Sequence, residues 1–589
     1  MQAIPGIHFQ VSRKVSTKPD PIGAASTGRH VSRVSLGDWL SGYCDSRYSP
    51  SHTTADHACG VSVILEGYLT GIRGVTSLEG SGARNVLEQY LDHGLEFLTR
   101  LRGSYTGLIL DARNQQAYLF NDRRASRPIF IREDAHGMRA GPELATLARR
   151  DPVLTAVDPV SICEFVLFAS CYNERTLFDA IRKLPPGSVL SVTPDGRVSR
   201  TRYWQLDIDP NRSPGNEDDW VDLALEHMDR ACSALRAVLE KPVLLLSGGG
   251  DSRALLASLL RTGKPVATVS YGTEAGDDAP IARQLAAATG SPFSYFHIPT
   301  DTLHTHFLDA ALRSNGQSET VDTPNLGSFY DGLAEHHDGA FQGDKGFCGT
   351  PPSGHDDVLI VAGPIGLDRA KRFSDMLETR TRALATESIM HSLAAMREVG
   401  RNLHPVDLRD KIYYEQRMSN RQNGFSAMTL RQIEQVRPWL DEDFIDLQFA
   451  LPPAMRIRKA IVRLMVDRAN ASLASIPYAS KDSIPQANMY RQLIPRQPEL
   501  AEFIRGQFGE HLDSRLAALF RPEELGRLIN SMLAGGSYPV PSRIWWQSVP
   551  GSWRFTARRY EGDLIHPVSI VLRLMQINLL LGSFETSVR

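Results

Sequence analysis

One run of six residues, Ser247-Gly248-Gly249-Gly250-Asp251-Ser252, constrains this chain more than any other stretch. The four apolar residues before it, 243–246, follow Pro242 and suit a buried strand. After it, Ala254, Leu255, Leu256, Ala257, Leu259 and Leu260 are spaced as a helix packed on a sheet. Glycines without Cβ atoms let backbone N–H groups approach an anion closely and reach dihedrals other residues resist. The following helix adds its positive end, and together these make a cradle for a phosphate-type ligand. The loop lacks the Gly-Lys-Ser/Thr ending of a Walker A motif and the G-x-G-x-x-G of a dinucleotide fingerprint. Instead Asp251 sits inside the cradle. A bare carboxylate repels phosphate, so a cation between them, Mg2+, is expected. An ordinary strand-to-helix turn is the plain alternative.

Ser-Gly-Gly-x-Asp-Ser after a strand resembles the pyrophosphate loop of the ATP pyrophosphatases. That resemblance implies ATP cleaved to AMP and pyrophosphate, with Ser247, Gly248, Gly249, Gly250, Asp251 and Ser252 as its ligands. Downstream, residues 266–272 read as a strand, 279–289 as a helix and 293–298 as a strand. This alternation predicts a parallel, doubly wound α/β sheet that binds ligands at the carboxyl ends of its strands. The Ser270-Tyr271-Gly272 corner is expected to border the adenine. Asp278 resembles the acid preceding the next helix in this family, and helix capping explains it equally. By the same resemblance Asp344, in Gln342-Gly343-Asp344-Lys345-Gly346, is the second metal ligand beside Asp251, with a plain turn as the alternative.

With 589 residues, two large domains are the natural expectation. A net charge of −2 gives no reason to invoke nucleic acid or an anionic membrane. No apolar run approaches transmembrane length, and the first twenty residues lack a signal-peptide core, so the cytoplasm is expected. The six cysteines form no C-x-x-C pair, and buried thiols are expected rather than disulfides or zinc. Residues 1 to about 58 read as an irregular lead-in. Strand-like runs follow at 61–65, 106–110, 117–120 and 128–131, with helices at 85–93 and 159–168, which predicts a layered α+β domain. Leu101-Arg102-Gly103-Ser104-Tyr105, Phe120-Asn121-Asp122-Arg123 and Leu184-Pro185-Pro186-Gly187, in this order, resemble the glutaminase-type (Ntn) sandwich of asparagine synthetase B. Members of that family use a cysteine at the mature N-terminus as nucleophile, yet position 2 is Gln2 and the nearest cysteine is Cys44. Ammonia production from glutamine is therefore not expected. Residues 209–216 read as a linker, giving domains at 1–208 and 217–589.

The remainder reads as mainly helical. Within it, Met428 followed by Glu434-Gln435-Val436-Arg437-Pro438-Trp439-Leu440-Asp441 resembles a family segment in which the glutamate helps deprotonate an amine nucleophile; Glu434 occupies that position, with a helix-surface glutamate as the plain reading. The segment 473–482 resembles the one delivering the family's catalytic lysine, and Lys481 falls at its place, against a solvated surface lysine. A lysine there would neutralise charge on the α-phosphate and the tetrahedral intermediate. The resemblance as a whole implies an AMP-forming amide ligase using ATP and Mg2+. Among relatives without the glutaminase cysteine, the chain is most similar to lasso-peptide cyclases. The features are the lead-in, Arg253, the divergent Gly343-Asp344 turn and Ile476-Pro477-Tyr478-Ala479. The implied substrate is a precursor peptide whose Asp or Glu side chain is joined to its own N-terminal amine, with a leader peptidase and a leader-binding protein as partners. β-Lactam synthesis, ammonia-dependent asparagine synthesis and a noncatalytic peptide-binding scaffold are the alternatives.

Overall fold

The computed structural model describes residues 5–12, 30–57, 60–135, 137–148, 156–212, 215–272, 278–321, 323–352, 370–479, 490, 492–534, 565 and 567–586. Its first half is built from two six-stranded antiparallel sheets. One contains β1 (Gly6–Ser12), β2 (His30–Leu36), β3 (Leu40–Ser46), β8 (Phe130–Asp134), β9 (Gly137–Gly141) and β10 (Ile181–Lys183). The other contains β4 (Thr54–His57), β5 (Val61–Ile72), β6 (Leu101–Asp111), β7 (Gln116–Asn121), β11 (Ser188–Val192) and β12 (Val198–Arg202). Alternation along the strands sorts the side chains between two cores. Ile64, Leu108 and Leu110 meet Phe9, Val11 and Leu119 between the sheets. Val61, Val63, Leu65 and Ile109 face outward onto Val86, Leu87 and Tyr90 of the helix Gly82–His93. The α+β sandwich expected of the first half is thus present.

The described part of the expected lead-in, residues 5–12 and 30–57, is not irregular: β1, β2 and β3 are neighbours within the first sheet, with β3 pairing to both others. These strands carry Ser, Gly and Arg between their buried residues, which dilutes the apolar signal in the sequence. The helix Pro159–Phe168 belongs by sequence to the first half, yet its Ile162, Phe165 and Val166 share one core with Phe307, Leu393 and residues 568–581 of the second.

The second half centres on a five-stranded parallel sheet ordered β15-β14-β13-β16-β17, as expected for the α/β part. Its strands are β13 (Pro242–Leu245), β14 (Ala267–Gly272), β15 (Phe293–His297), β16 (Gly339–Phe341) and β17 (Glu434–Val436). Leu244 packs under the helices Glu217–Ala237 and Gly250–Arg261 on one face, and Val243 meets Phe329 and Tyr330 of the helix Leu326–Ala334 on the other. Beyond β16 the described residues are mainly helical, including a π-helical stretch at Tyr413–Gln422. Residues 434–436 form a strand rather than part of a helix. Among the described residues no helix is long and apolar enough to cross a membrane.

Candidate active site

The loop after β13 emerges at the carboxyl end of the sheet, where open parallel sheets bind ligands. Leu246 N–H donates to Val269 O (2.9 Å), and the chain then turns. The two serines close that turn: Ser252 Oγ accepts from Ser247 N–H and lies 3.1 Å from Ser247 Oγ, which in turn accepts from Gly249 N–H at 3.2 Å. Gly249 caps the helix Gly250–Arg261 without a side-chain cap bond, so the first-turn amides have no intrahelical partner and remain available. Gly248, Gly249 and Gly250 are absent from the residues with positive φ. The expectation of unusual dihedrals is therefore corrected: these positions need glycine for space. A Cβ on Gly248 would lie 2.7 Å from Ala479 Cβ, and one on Gly250 would lie 3.3 Å from Val462 Cγ1.

Asp278 Oδ1 accepts from Gly248 N–H (2.9 Å), so this carboxylate fixes the loop as well as beginning the helix Asp278–Thr289. Arg253 buckles a distant segment onto the loop. Its Nη1 donates to Leu473 O and Ile476 O, its Nη2 to Pro477 O (2.7 Å) and Gly248 O, and its guanidinium lies 3.9 Å from the centre of the Tyr478 ring. Ala479 N–H completes the clasp by donating to Gly248 O at 3.0 Å. Lys481 lies outside the described residues, two positions beyond this anchored end.

The Asp251 carboxylate, expected to bind Mg2+, is contacted here by two lysines. Lys345 Nζ is 3.1 Å and Lys459 Nζ 2.6 Å from Asp251 Oδ2. Burial pushes the Asp251 carboxyl up, but the two ammonium groups outweigh it and hold it below the usual carboxylate range. Asp344 is brought to the same place: Gly343 packs so closely on Asp251 and Ser252 that a Cβ would sit 3.1 Å from Ser252 N. Burial raises the Asp344 carboxyl, opposed by Arg437, whose Nη1 is 3.9 Å away, and by Lys345. Trp439 Nε1 donates to Asp251 O (3.2 Å) and ties the segment after β17 to the loop. Gln342 Oε1 and Asp251 Oδ1 are buried without a hydrogen-bond partner among the described residues, leaving polar atoms for a ligand at this end of the sheet.

Ser270, Tyr271 and Gly272 end β14 beside the loop, with Tyr271 packed on Phe329 at 4.6 Å between ring centres. Glu434 is not brought to the loop, which corrects its expected role as the amine's base. It begins β17 level with Gly339 of β16, itself level with Pro242 of β13. Five residues of strand rise separate that level from Ser247, about 16 Å at roughly 3.3 Å per residue. Its Oε2 instead meets Arg127 Nη2 of the first sandwich at 2.8 Å. Arg127 also pairs with Glu66, whose Oε2 accepts from the Cys44 thiol at 3.6 Å. Cys44 is fully buried in β3, and burial with the Glu66 charge pushes its thiol well up, so it is no poised nucleophile. Lys345, Lys459 and Trp439 were missed by sequence reasoning. Lys345 adjoins Asp344 and could have been found from it; Lys459 carries no local motif.

The fold is a two-sheet sandwich followed by a unit built on a five-stranded parallel sheet with a glycine loop after its central strand. Residues 73–204 match the model of the glutamine amidotransferase domain, and residues 230–325 match that of asparagine synthase. Amidase chyE of Penicillium rubens is 24% identical over 250 residues, 39% of this chain and 36% of that protein. Amidase chry2 of Gibberella zeae is 22% identical over 340 residues, covering 52% of this chain and 50% of its own. Asparagine synthetase [glutamine-hydrolyzing] 1 of Bacillus subtilis is 23% identical over 225 residues, 37% of this chain and 34% of its own. The chain thus spans between a third and a half of these relatives' length. Among solved structures, the NMN synthetase of Francisella tularensis matches 22% of this chain and 56% of its own, with 15% identity and a TM-score of 0.16. The glutamine phosphoribosylpyrophosphate amidotransferase of B. subtilis matches 58% of this chain and 70% of its own, with 13% identity and a TM-score of 0.19.

Proposed function

We propose that this chain is an ATP-dependent, AMP-forming amide ligase. The observation that carries the reading is the serine-closed glycine loop at the carboxyl end of β13, with Asp251 between two lysines at its centre. A carboxylate and an amine in water merely form a salt. Attack of the substrate carboxylate oxygen on the α-phosphorus of ATP releases pyrophosphate and leaves an acyl-adenylate. The neutral amine then attacks the acyl carbon, AMP departs and the amine gives up a proton. The first-turn amides of the helix Gly250–Arg261 would hold the leaving pyrophosphate. Asp251 has one buried oxygen, Oδ1, without a partner among the described residues, so it fits one contact to Mg2+. Bound there with the nucleotide, the ion would offset phosphate charge. Lys345 and Lys459 keep the Asp251 carboxylate from repelling the phosphates, and Arg253 holds residues 473–479 against the loop.

The finer reading is a lasso-peptide cyclase. Its acid would be an Asp or Glu side chain of a precursor peptide and its amine the peptide's own N-terminus. A leader peptidase and a leader-binding protein would act beside it in the cytoplasm. The Arg253 clasp on Ile476-Pro477-Tyr478-Ala479 supports this reading; the lead-in does not, because Gly6–Ser12, His30–Leu36 and Leu40–Ser46 within it are strands.

The test is incubation with ATP and a leader-free precursor peptide. Release of AMP and pyrophosphate with loss of one water from the peptide is expected. ADP instead of AMP would overturn the ligase reading. Asparagine from aspartate and ammonium, with the peptide untouched, would overturn only the cyclase reading.

A further inference from the structure

Three cationic side chains serve two carboxylates at the loop. Lys345 and Lys459 share Asp251 Oδ2, and Arg437 faces Asp344. Lys345 is built into this place. Its side chain is 11% exposed and its ammonium lies 5.6 Å from the centre of the Phe347 ring. Lys459 reaches the same oxygen from two successive left-handed residues, Arg458 (φ 52°) and Lys459 (φ 58°). Arg458 N–H is held there by Gly349 O at 2.6 Å. Side-chain residues rarely adopt that conformation singly, and a consecutive pair persists only where the surroundings impose it.

A divalent ion bridging Asp251 and Asp344 would have to enter a cluster whose positive side chains already outnumber its carboxylates. Among the described residues no group of three or more His, Cys, Asp or Glu is placed to hold a metal. The buried acceptors left over there among the described residues are Asp251 Oδ1 and Gln342 Oε1, of which only the first is a carboxylate oxygen. Mg2+ commonly binds through one or two carboxylates together with substrate phosphates, so a single oxygen suffices for an ion that arrives on the nucleotide.

We infer that Lys345 is a resident cation that does the work of a second metal ion. Resting on the reading of the loop as a triphosphate site, the inference is that one divalent ion enters with ATP and touches Oδ1, while the Lys345 ammonium neutralises Oδ2 and faces the phosphates. Lys345 is thereby a positioning residue for the pyrophosphate.

The test is a Mn2+ titration followed by electron paramagnetic resonance, with and without a non-hydrolysable ATP analogue. The wild-type chain should take up one Mn2+ per bound nucleotide and bind the ion only weakly alone. Lys345→Ala should bind Mn2+ without nucleotide at least tenfold more tightly, whereas Lys345→Arg should behave as wild type. Two Mn2+ per nucleotide in the wild type, tight binding without nucleotide, or no change in Lys345→Ala would each overturn the inference. The wild-type stoichiometry decides alone if the alanine variant does not fold. If the analogue itself fails to bind, the triphosphate reading falls and this inference with it; a second Mn2+ alongside bound analogue defeats this inference alone.

Discussion

Arg127 Nη2 lies 2.8 Å from Glu434 Oε2, and Arg127 Nη1 lies 3.2 Å from Glu66 Oε1. One buried guanidinium therefore neutralises an acid from the sandwich and another from the parallel sheet. Removing it leaves two buried carboxylates facing each other, and breaking such a pair costs about 3–5 kcal/mol. Arg127→Met should lower the denaturant midpoint accordingly. Glu434→Gln keeps the shape and should cost less. Loss of a general base reduces a rate by about 10²- to 10⁴-fold. Because Glu434 sits at the amino end of β17, formation of the amide and AMP by Glu434→Gln should fall by less than that. A drop within that range at unchanged stability would return Glu434 to the role of base.

Gly248 and Gly249 are adjacent and neither has a positive φ, so replacing each by alanine isolates the effect of space. At Gly248 the new Cβ would meet Ala479 Cβ at 2.7 Å and Asp278 Oδ1 at 3.2 Å; at Gly249 it would meet Ser247 Oγ at 3.3 Å. Overpacking of the first kind costs about 1–3 kcal/mol. The segment held by Arg253 would have to shift, and displacements near 1 Å can cost roughly 10²-fold in rate. Gly248→Ala should therefore lose most pyrophosphate release, and Gly249→Ala much less. Equal losses, measured side by side with nucleotide binding, would contradict the packing account.

The residues that could be read in advance were those with strong local periodicity or a dense motif. The run at 243–256 announces strand, turn and helix within one window, and the apolar runs at 61–65 and 106–110 fall within β5 and β6. The strand His30–Leu36 buries only Ser32 and Leu36, with Arg33, Val34 and Ser35 between them. Its pairing with β3 is written in neither segment alone. β17 has three residues, too few to show a period, and its flanks are helical or 3-10. Glu434 was misplaced for that reason: the motif gives its residue type and order, while strand polarity decides which end of the sheet it reaches. Lys459 meets Asp251 across 208 residues, a proximity no local pattern encodes.

Lys183 closes β10 and donates to Asn420 Oδ1 of the π-helical stretch, joining the sandwich to the second half. Burial pushes its ammonium down from 10.5 to about 8. Below about pH 8 both folded and unfolded chains carry the proton, so the burial penalty is fully felt. Between about 8 and 10.5 the unfolded chain binds more protons, and stability rises with pH across that window. At 1.36 kcal/mol per unit the gain from this group is at most about 3 kcal/mol. Lys183→Met removes the titrating group and should abolish this share of the rise. Denaturant midpoints of both proteins at about pH 7.5 and about pH 10 measure it, and an equal rise in the variant would show that Lys183 is not the group responsible.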